Sequence, residues 1–348
     1  MPFPAQFDSW VLDAEALLPP KIAGTKGMRL KHIWPNFFLA GAHKSGTTSR
    51  YFYLKQHPQV FMPALKEPHF FSRFRPYSEM PFPHPRVSDG AAYLRLFSKA
   101  AGYKAVGEAS SSYLCDERAA GRIHAVIPHA KIVIVLRDPV GRAYSQYLMD
   151  VREGWQTLPF YEALLEDWNR PQKGWGVSHM YVEPGLYREQ LERYLNVFGP
   201  KQVLVLLFAD LRSPEGRRKM LAELVRFLEL DPAYLDRIDT SQVENDFAVA
   251  RWNWSRRVAA SWWARRLAMV LVPARAGSLF LVKMRLYDRF FLRPGVKPAM
   301  DEKARDWLCS IYEDDVAGLE RLLGRDFPEL RANWSPIEQT LGASRSRS

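Results

Sequence analysis

Short apolar runs alternate with amphipathic stretches along most of the chain. Four of the apolar runs are predicted to be buried strands: 36–40, 105–107, 131–136 and 202–208. Helical periodicity follows at five places: 48–56, 139–151, 187–198, 216–228 and 301–323. Strands that alternate with helices are typical of a parallel sheet with helices packed on its faces. The pattern therefore predicts an α/β fold.

The first predicted strand runs directly into the sequence GAHKSGTT, residues 41–48, and then into a helix. This arrangement favours anion binding, because the N–H groups and the dipole at a helix N-terminus attract negative charge. Lys44 adds a positive charge, and it precedes Gly46 by two positions. A Walker loop instead has its lysine directly after the second glycine. The alternative interpretation is a lysine-bearing turn that only caps the helix.

A second strand–loop–helix site begins with the strand 131–136. Arg137 ends this strand, Asp138 can cap the next helix, and Pro139 suits the first helical position. Ser145 lies nearly two turns into that helix.

The sequence around both sites resembles a known family. The run FFLAGAHKSGTTSRYFYLKQHPQVFMPALKEPHFF is similar to the 5′-phosphosulfate-binding region of sulfotransferases that use 3′-phosphoadenosine 5′-phosphosulfate (PAPS). The run KIVIVLRDPVGRAYSQY is similar to their 3′-phosphate-binding region. The KEPHFF element most resembles the branch of heparan sulfate and bacterial carbohydrate sulfotransferases. The resemblance covers about residues 35–250 and the last helix, and it implies the P-loop-like parallel sheet of the sulfotransferase fold.

The resemblance also assigns roles to single residues. It implies that the 5′-phosphosulfate is bound by six residues of the loop and the following helix: Lys44, Ser45, Gly46, Thr47, Thr48 and Ser49. It implies that Arg137 and Ser145 bind the 3′-phosphate, and their positions agree, because the hydroxyl group of Ser145 can face an anion that Arg137 also binds. The alternative for Arg137 is an ion pair with Asp138 or another acid. Two separate anion sites predict a ligand with two separated phosphate groups. Lys44 is expected to stabilise the leaving group of the reaction, whose product is adenosine 3′,5′-bisphosphate. We expect no metal to be required, because sulfate carries less charge than phosphate.

Glu67, in the run KEPHFF at 66–71, is the predicted catalytic base, since the matching glutamate is the base in the resembling branch. We expect the two phenylalanines of this run to raise its pKa towards neutrality. Lys66, Glu67 and His69 are predicted to lie near the acceptor, and His69 is the alternative base. The other alternative is a purely structural pair between Glu67 and Lys66.

Three further residues have open interpretations. His43 matches no catalytic position of the family and is predicted to pack within the loop. Glu108 ends another strand, where it could contact substrate or cap a turn. A lysine-, glycine- and arginine-rich loop closes over the 3′-phosphate in the heparan sulfate enzymes, and it is not found late in this sequence. Arg251 is a candidate replacement for it.

Positive charge is concentrated late in the chain. The 348 residues include 49 Lys and Arg against 38 Asp and Glu, a formal net charge of +11. The segment 251–294, called the basic segment below, contains ten Lys or Arg, one acid and four of the eleven tryptophans. It is predicted to be a helical insertion or lid. Either it packs on the core, or it recruits an anionic or membrane-borne acceptor.

A single domain is predicted at 30–335, with an N-terminal extension at 1–29 and a disordered tail at 336–348. The two cysteines, Cys115 and Cys309, are far apart, which indicates a reducing compartment. Neither a secretory leader nor a clean apolar run of about 20 residues is visible. We therefore expect a soluble cytoplasmic protein, with peripheral contact to an anionic membrane surface through the basic segment kept open.

The favoured function is transfer of a sulfuryl group from PAPS to a hydroxyl or amino group of a small-molecule or glycan acceptor, with a carbohydrate or glycolipid expected. One alternative is a P-loop nucleotide kinase or NTPase. It predicts a metal-binding acid at the end of the strand 131–136, but Arg137 stands at that position. The other is a non-enzymatic basic protein that binds membrane or nucleic acid, which leaves both anion sites unused. No nucleic-acid partner is expected. The acceptor and the oligomeric state stay open.

Overall fold

The computed structural model describes residues 33–72, 87–153, 155–171, 179–241, 248–250, 292–294 and 297–334. A five-stranded sheet lies at the centre, formed by β1 (Phe37–Gly41), β2 (Val60–Phe61), β3 (Ala105–Ala109), β4 (Lys131–Leu136) and β5 (Val203–Leu207). The strand order is β2-β3-β1-β4-β5, and every pair is parallel. Parallel strands are buried on both faces, which explains why β1 and β4 are nearly continuous apolar runs.

Eight helices surround this sheet in the described residues: α1 (Thr47–Lys55), α2 (Gly90–Arg95), α3 (Ala119–Val126), α4 (Pro139–Arg152), α5 (Phe160–Asn169), α6 (Tyr187–Phe198), α7 (Pro214–Phe227) and α8 (Glu302–Leu323). Successive strand residues face opposite sides of a sheet. Ile132 and Ile134 accordingly join a core with α6 and α8, while Val133 and Val135 join a second core with α1 and α7. The molecule has three layers, with the sheet in the middle.

The predicted α/β fold is confirmed, and all four predicted strands and all five predicted helices are present within two residues of the expected ends. Three helices were not predicted: α2, α3 and α5. The first two have six and eight residues, too few for a helical period to stand out from the surrounding sequence. Within the part of the chain that the structure describes, no helix is both long and apolar enough to cross a membrane.

A separate antiparallel ribbon joins β6 (Ala248–Ala250) to β7 (Leu292–Pro294). The basic segment was predicted to be helical to residue 294, and this is wrong at its end, because its last three residues pair with β6. Pro294 is the last residue of β7, and the end of a two-stranded ribbon tolerates its missing N–H group. Residues 251–291, which include Arg251, lie outside the described residues. So do 1–29 and 336–348, and the domain limits 30–335 stay a prediction.

The sheet places both predicted anion sites next to each other. The loop at 41–46 follows β1, the loop at Arg137 follows β4, and these two strands are neighbours. From β1 the chain passes to the β3 side of the sheet and later returns to the β4 side. In open α/β sheets, ligands bind outside the carboxyl ends of the strands at such a change of direction.

Arg50 ties the first loop to the rest of this edge. Its side chain on α1 is fully buried, with 0% exposure. The guanidinium donates to the carbonyl oxygens of Leu207 at 2.6 Å and Gly46 at 3.2 Å. Leu207 is the last residue of β5, so one side chain links the loop after β1 to the far strand. Burial lowers the pKa of Arg50 to about 10, which leaves it charged at neutral pH.

Replacing this arginine tests how strongly the loop depends on it. Arg50→Met keeps most of the apolar volume but removes the guanidinium that donates to the buried carbonyl oxygens of Leu207 and Gly46, so the free energy of unfolding should fall by about 2–4 kcal/mol. Arg226→Met, at an exposed position on α7, should change it by less than about 0.5 kcal/mol. Urea denaturation measures both. Equal stabilities for the two variants would contradict the structural role of Arg50.

Candidate active site

The loop after β1 closes around the N-terminus of α1. Gly46 is the residue before the helix, with φ of 78°. A Cβ atom there would lie 2.6 Å from Cδ1 of Leu211 and 3.0 Å from Nη1 of Arg50, so only glycine fits. Ser45, Thr47 and Ser49 are buried, and Lys44, Gly46 and Thr48 are half-buried. The six residues predicted to bind the 5′-phosphosulfate thus lie together at a helix N-terminus, where anions bind.

Lys44 extends from this loop towards α4. Its Nζ atom lies 3.6 Å from Sδ of Met149. Ser145 precedes Met149 by four residues and therefore lies on the same face of α4. Burial and then the positive charges of Arg152 and Arg137 together lower the pKa of Lys44 to about 8. A doubly charged anion beside Lys44 would offset both effects.

Arg137 joins the two anion sites. Its Nη1 donates to the carbonyl oxygen of Lys44 at 2.7 Å, and its guanidinium carbon lies 4.4 Å from the centroid of the Phe208 ring. The carboxylate of Asp138 accepts from the N–H groups of Val140 at 3.2 Å and Gly141 at 2.9 Å, so the predicted cap of α4 is confirmed. Because Asp138 is used as a cap, the guanidinium of Arg137 remains directed at the loop.

Lys297 is a further cation at this site that the sequence did not indicate. Its Nζ lies 4.8 Å from the centroid of the Tyr144 ring. The hydroxyl group of Tyr144 donates to the carbonyl oxygens of Pro298 and Ala299, at 3.1 and 3.0 Å, which anchors this stretch to α4. Burial and then the charge of Arg137 lower the pKa of Lys297. Only tertiary contacts bring this lysine to Arg137, and no local motif marks it.

Glu67 and its two predicted neighbours form the other half of the site. The backbone N–H of Glu67 donates to the carbonyl oxygen of Ala109 at 2.8 Å, which places it at the carboxyl end of β3. Its carboxylate pairs with Lys66 and accepts from the N–H of Ser111 at 2.8 Å. Nε2 of His69 lies 3.7 Å from Oε2 of Glu67. The predicted group of Lys66, Glu67 and His69 is therefore assembled.

The expected upward shift in the pKa of Glu67 is wrong. Burial does raise it, but the charge of Lys66, with further electrostatic contributions from two nearby histidines, outweighs burial and brings the pKa to about 2. The phenylalanines expected to cause the upward shift pack into the core instead, where Phe70 stacks on Tyr93 with 4.1 Å between ring centroids. Glu67 is consequently a carboxylate at neutral pH.

The carboxyl group with a raised pKa is that of Glu108. Its side chain is fully buried, and Oε2 accepts from the hydroxyl groups of Tyr93 at 3.0 Å and Tyr113 at 2.6 Å. Burial, with a smaller contribution from the negative charge of Glu67, outweighs the hydrogen bonds that it accepts and raises its pKa to about 7. With 0% exposure, Glu108 lies in the core and does not face a substrate.

Three of the predicted site residues have a strained backbone. Lys44, Glu67 and His69 have φ values of 59°, 59° and 52°. The left-handed region costs a residue with a Cβ atom about 1–2 kcal/mol. Such strain collects at functional sites because the surrounding structure must hold it in place. Its presence at these three residues supports the assignment of this edge as the active site.

Comparison with known proteins identifies the family of this chain. Residues 35–233 match the model of the family described as "Sulfotransferase family". The chain belongs to the sulfotransferase family. The resemblance found in its sequence is therefore confirmed. Among solved structures, the sulfotransferase from Alicyclobacillus acidocaldarius is 31% identical, with a TM-score of 0.62 over 86% of this chain and 99% of the other. The sulfotransferase fold is confirmed as well.

Curated sulfotransferases are also similar to this family member. Mouse carbohydrate sulfotransferase 15 is 29% identical over 266 residues, which are 60% of this chain and 46% of that protein. The mouse bifunctional heparan sulfate N-deacetylase/N-sulfotransferase 4 is 26% identical over 311 residues, 85% of this chain and 32% of that protein. The chain thus spans less than half the length of these two relatives.

The lowered pKa of Lys44 can be measured by its reactivity. Only a neutral amine reacts with acetic anhydride, so the labelling rate of a lysine rises with pH until the pH exceeds the pKa of that lysine. For Lys44 the rate should level off near pH 8, whereas a lysine with the ordinary pKa of about 10.4 accelerates up to about pH 10. Peptide mass spectrometry gives the rate for each lysine.

A matched variant tests the cause of this shift. Arg152→Met removes one of the two positive charges that lower the pKa of Lys44, so the plateau should move to higher pH. A labelling rate for Lys44 that keeps rising to pH 10 in the unmodified protein would contradict the electrostatic description of the site.

Proposed function

We propose that this protein transfers a sulfuryl group from PAPS to a hydroxyl or amino group of a carbohydrate acceptor. One observation carries the proposal: the hydrogen bond from Arg137 to the carbonyl of Lys44. It brings the basic residues of two separate motifs together at adjacent strand ends. Membership of the sulfotransferase family supports the same reaction.

The residues at this edge fit a donor with two separated phosphate groups. The loop at 44–49 presents a helix N-terminus and Lys44 to one of them. Arg137 and Ser145 are suited to the second, and Lys297 adds a third charge beside Arg137. Arg137 lies beside a shallow surface depression that is lined partly by Phe208 and Arg212. Three cations close together call for a polyanion.

PAPS, when bound, supplies an activated sulfuryl group and a phosphate leaving group. Lys44 and the N-terminus of α1 are placed to stabilise the negative charge that develops on this leaving group. The lowered pKa of Lys44 shows that its ammonium form is destabilised without a ligand. An arriving phosphate favours the ammonium form, so the positive charge is strongest when the reaction needs it. That no metal is required stays a prediction.

Glu67 is suited to take the proton of the acceptor. It is ionised at neutral pH and can accept at once, although a pKa of about 2 makes it a weak base in the free protein. Lys66 supplies the largest of the charges that lower this pKa. An acceptor hydroxyl group that displaces Lys66 from the carboxylate would therefore make Glu67 more basic.

His69 supports this assignment from a fixed position. Its Nδ1 lies 2.7 Å from Oγ of Ser112, and its backbone N–H donates to Oγ of Ser110 at 3.0 Å. The ring is buried, with Nε2 directed at Glu67. This arrangement suits a group that holds and polarises Glu67. His69 remains the alternative base.

The proposed acceptor class rests on the relatives and on composition. The curated relatives have names that specify carbohydrate or heparan sulfate sulfotransfer. The basic segment, with ten Lys or Arg and one acid, suits an acceptor that carries negative charge. We therefore propose a carbohydrate acceptor with anionic groups or an anionic carrier.

The donor assignment predicts a preference between two nucleotides. Adenosine 3′,5′-bisphosphate should bind at least about tenfold more tightly than adenosine 5′-phosphate, since a hydrogen bond to a charged group contributes about 1.5–3 kcal/mol. Arg137→Ala should remove most of this preference, and Arg226→Ala, on the exposed side of α7, should leave it unchanged. Isothermal titration calorimetry measures each affinity. Equal affinities in the unmodified protein would remove the role of Arg137, and a preference for ATP with magnesium would favour the NTPase alternative.

The base assignment predicts a loss of turnover without a loss of binding. Glu67→Gln keeps the shape of the side chain and removes its basicity, so kcat should fall about 10²–10⁴-fold while nucleotide affinity stays the same. Transfer from labelled PAPS to a panel of glycans provides the assay, and Glu117→Gln at an exposed position is the control. If Glu67→Gln keeps full turnover and His69→Ala is inactive, His69 is the base.

A further inference from the structure

A hydrogen-bonded chain connects Glu67 to the loop that carries Lys44. Oγ of Ser111 lies 3.0 and 3.1 Å from the two carboxylate oxygens of Glu67, and 2.9 Å from Nδ1 of His43. The N–H of Ser111 donates to the same carboxylate at 2.8 Å. Ser111 and His43 are each 6% exposed. The three residues come from separate stretches of the chain and meet in a place that excludes most water.

The proton positions in this chain follow from the inventory of donors. An ionised carboxylate only accepts hydrogen bonds, so the single hydroxyl proton of Ser111 is directed to Glu67. The remaining contact then needs a proton on Nδ1 of His43, which donates to Oγ of Ser111. The charge of Glu67 thereby fixes the tautomer of a histidine on the other side of the serine.

Neighbouring serines do not share this role. Ser110 and Ser112 contact His69, through its backbone N–H and its Nδ1 respectively. Ser111 alone of the three directs its hydroxyl group to Glu67. The division follows from the tight 3₁₀ turn at Ser111–Tyr113, which points consecutive side chains in different directions.

We propose that Ser111 and His43 are positioning residues that hold the carboxylate of Glu67 at a fixed place relative to the Lys44 loop. The inference rests on the proposed role of Glu67 as the base. Lys66 attracts the carboxylate from one side, and the two donors of Ser111 hold it from another. His43 directly precedes Lys44, so the chain ties the base to the group that stabilises the leaving phosphate. In-line transfer requires the base and the group that stabilises the leaving phosphate to be held in fixed positions relative to each other.

The kinetic test begins with Ser111→Ala. We expect kcat to fall about 10- to 100-fold, because a small misplacement of the base is costly, while the affinity for adenosine 3′,5′-bisphosphate stays within about twofold. Retained nucleotide binding shows that the variant is folded. Ser98→Ala, at an exposed serine, should have full activity. Full turnover of Ser111→Ala would overturn the proposal.

Conservative variants separate a positioning role from simple packing. The amide nitrogen of His43→Asn can take the place of Nδ1, whereas His43→Leu has no donor. His43→Asn should therefore keep several-fold more turnover than His43→Leu. Equal losses in the two variants would mean that His43 only fills space, and the proposal would fail.

A double-mutant cycle shows whether Ser111 acts through Glu67. In the Glu67→Gln background, Ser111→Ala should lower turnover by less than about twofold more, because the group that it positions is already gone. The same loss in both backgrounds would overturn the proposal. Full activity of Glu67→Gln itself would instead refute the role of Glu67 as base, so the two failures are distinguishable.

A spectroscopic test needs no substrate. Nitrogen-15 chemical shifts of the histidine side chains distinguish the two neutral tautomers. His43 should carry its proton on Nδ1 in the unmodified protein, and Ser111→Ala should reduce that preference. A spectrum with His43 protonated on Nε2 alone would contradict the proposed chain.

Discussion

The parallel pairing of β1 with β4 determines where everything else in the site can be. Each strand ends in a loop that leads into a helix, so their adjacency places two helix N-termini side by side. A single hydrogen bond, from Arg137 to the carbonyl oxygen of Lys44, then connects the end of β4 to the neighbouring loop. Arg50 holds that loop against the end of β5. The positions of the charged side chains are therefore consequences of strand order and of the few bonds that brace the loops.

The site gathers positive charge at a place where burial makes charge costly. The pKa values of Lys44 and Arg137 are both lowered, with burial as the first cause in each case. Glu67 shows the reverse effect, since nearby cations keep it ionised despite burial. An empty site of this kind is electrostatically unfavourable, and a polyanionic ligand relieves it. The excess of positive charge that destabilises the free protein therefore contributes to its affinity for such a ligand.

The sequence predicted those features that depend on residues close together in the chain. The buried strands, the loop at 41–48 and the cap at Asp138 each depend on residues close in sequence, and all are present. The roles of Arg50 and Lys297 were not predicted from the sequence, because these side chains contact residues that are distant in sequence. The error for Glu67 has a different origin: Phe70 of its own run packs into the core, while the adjacent Lys66 supplies the largest of the charges that lower its pKa. Short helices such as α2 offered too few residues for periodicity to show.

The ribbon of β6 and β7 has an evolutionary consequence. Because the two strands pair antiparallel, Ala250 and Leu292 lie opposite each other, so the segment between them begins and ends at neighbouring positions. Insertions closed at their base in this way can change length and composition at little cost to the rest of the fold. Descendants of this chain could therefore vary the length of 251–291 while the two ends of that segment stay paired, and the strand ends that carry Lys44 and Arg137 need not change with it.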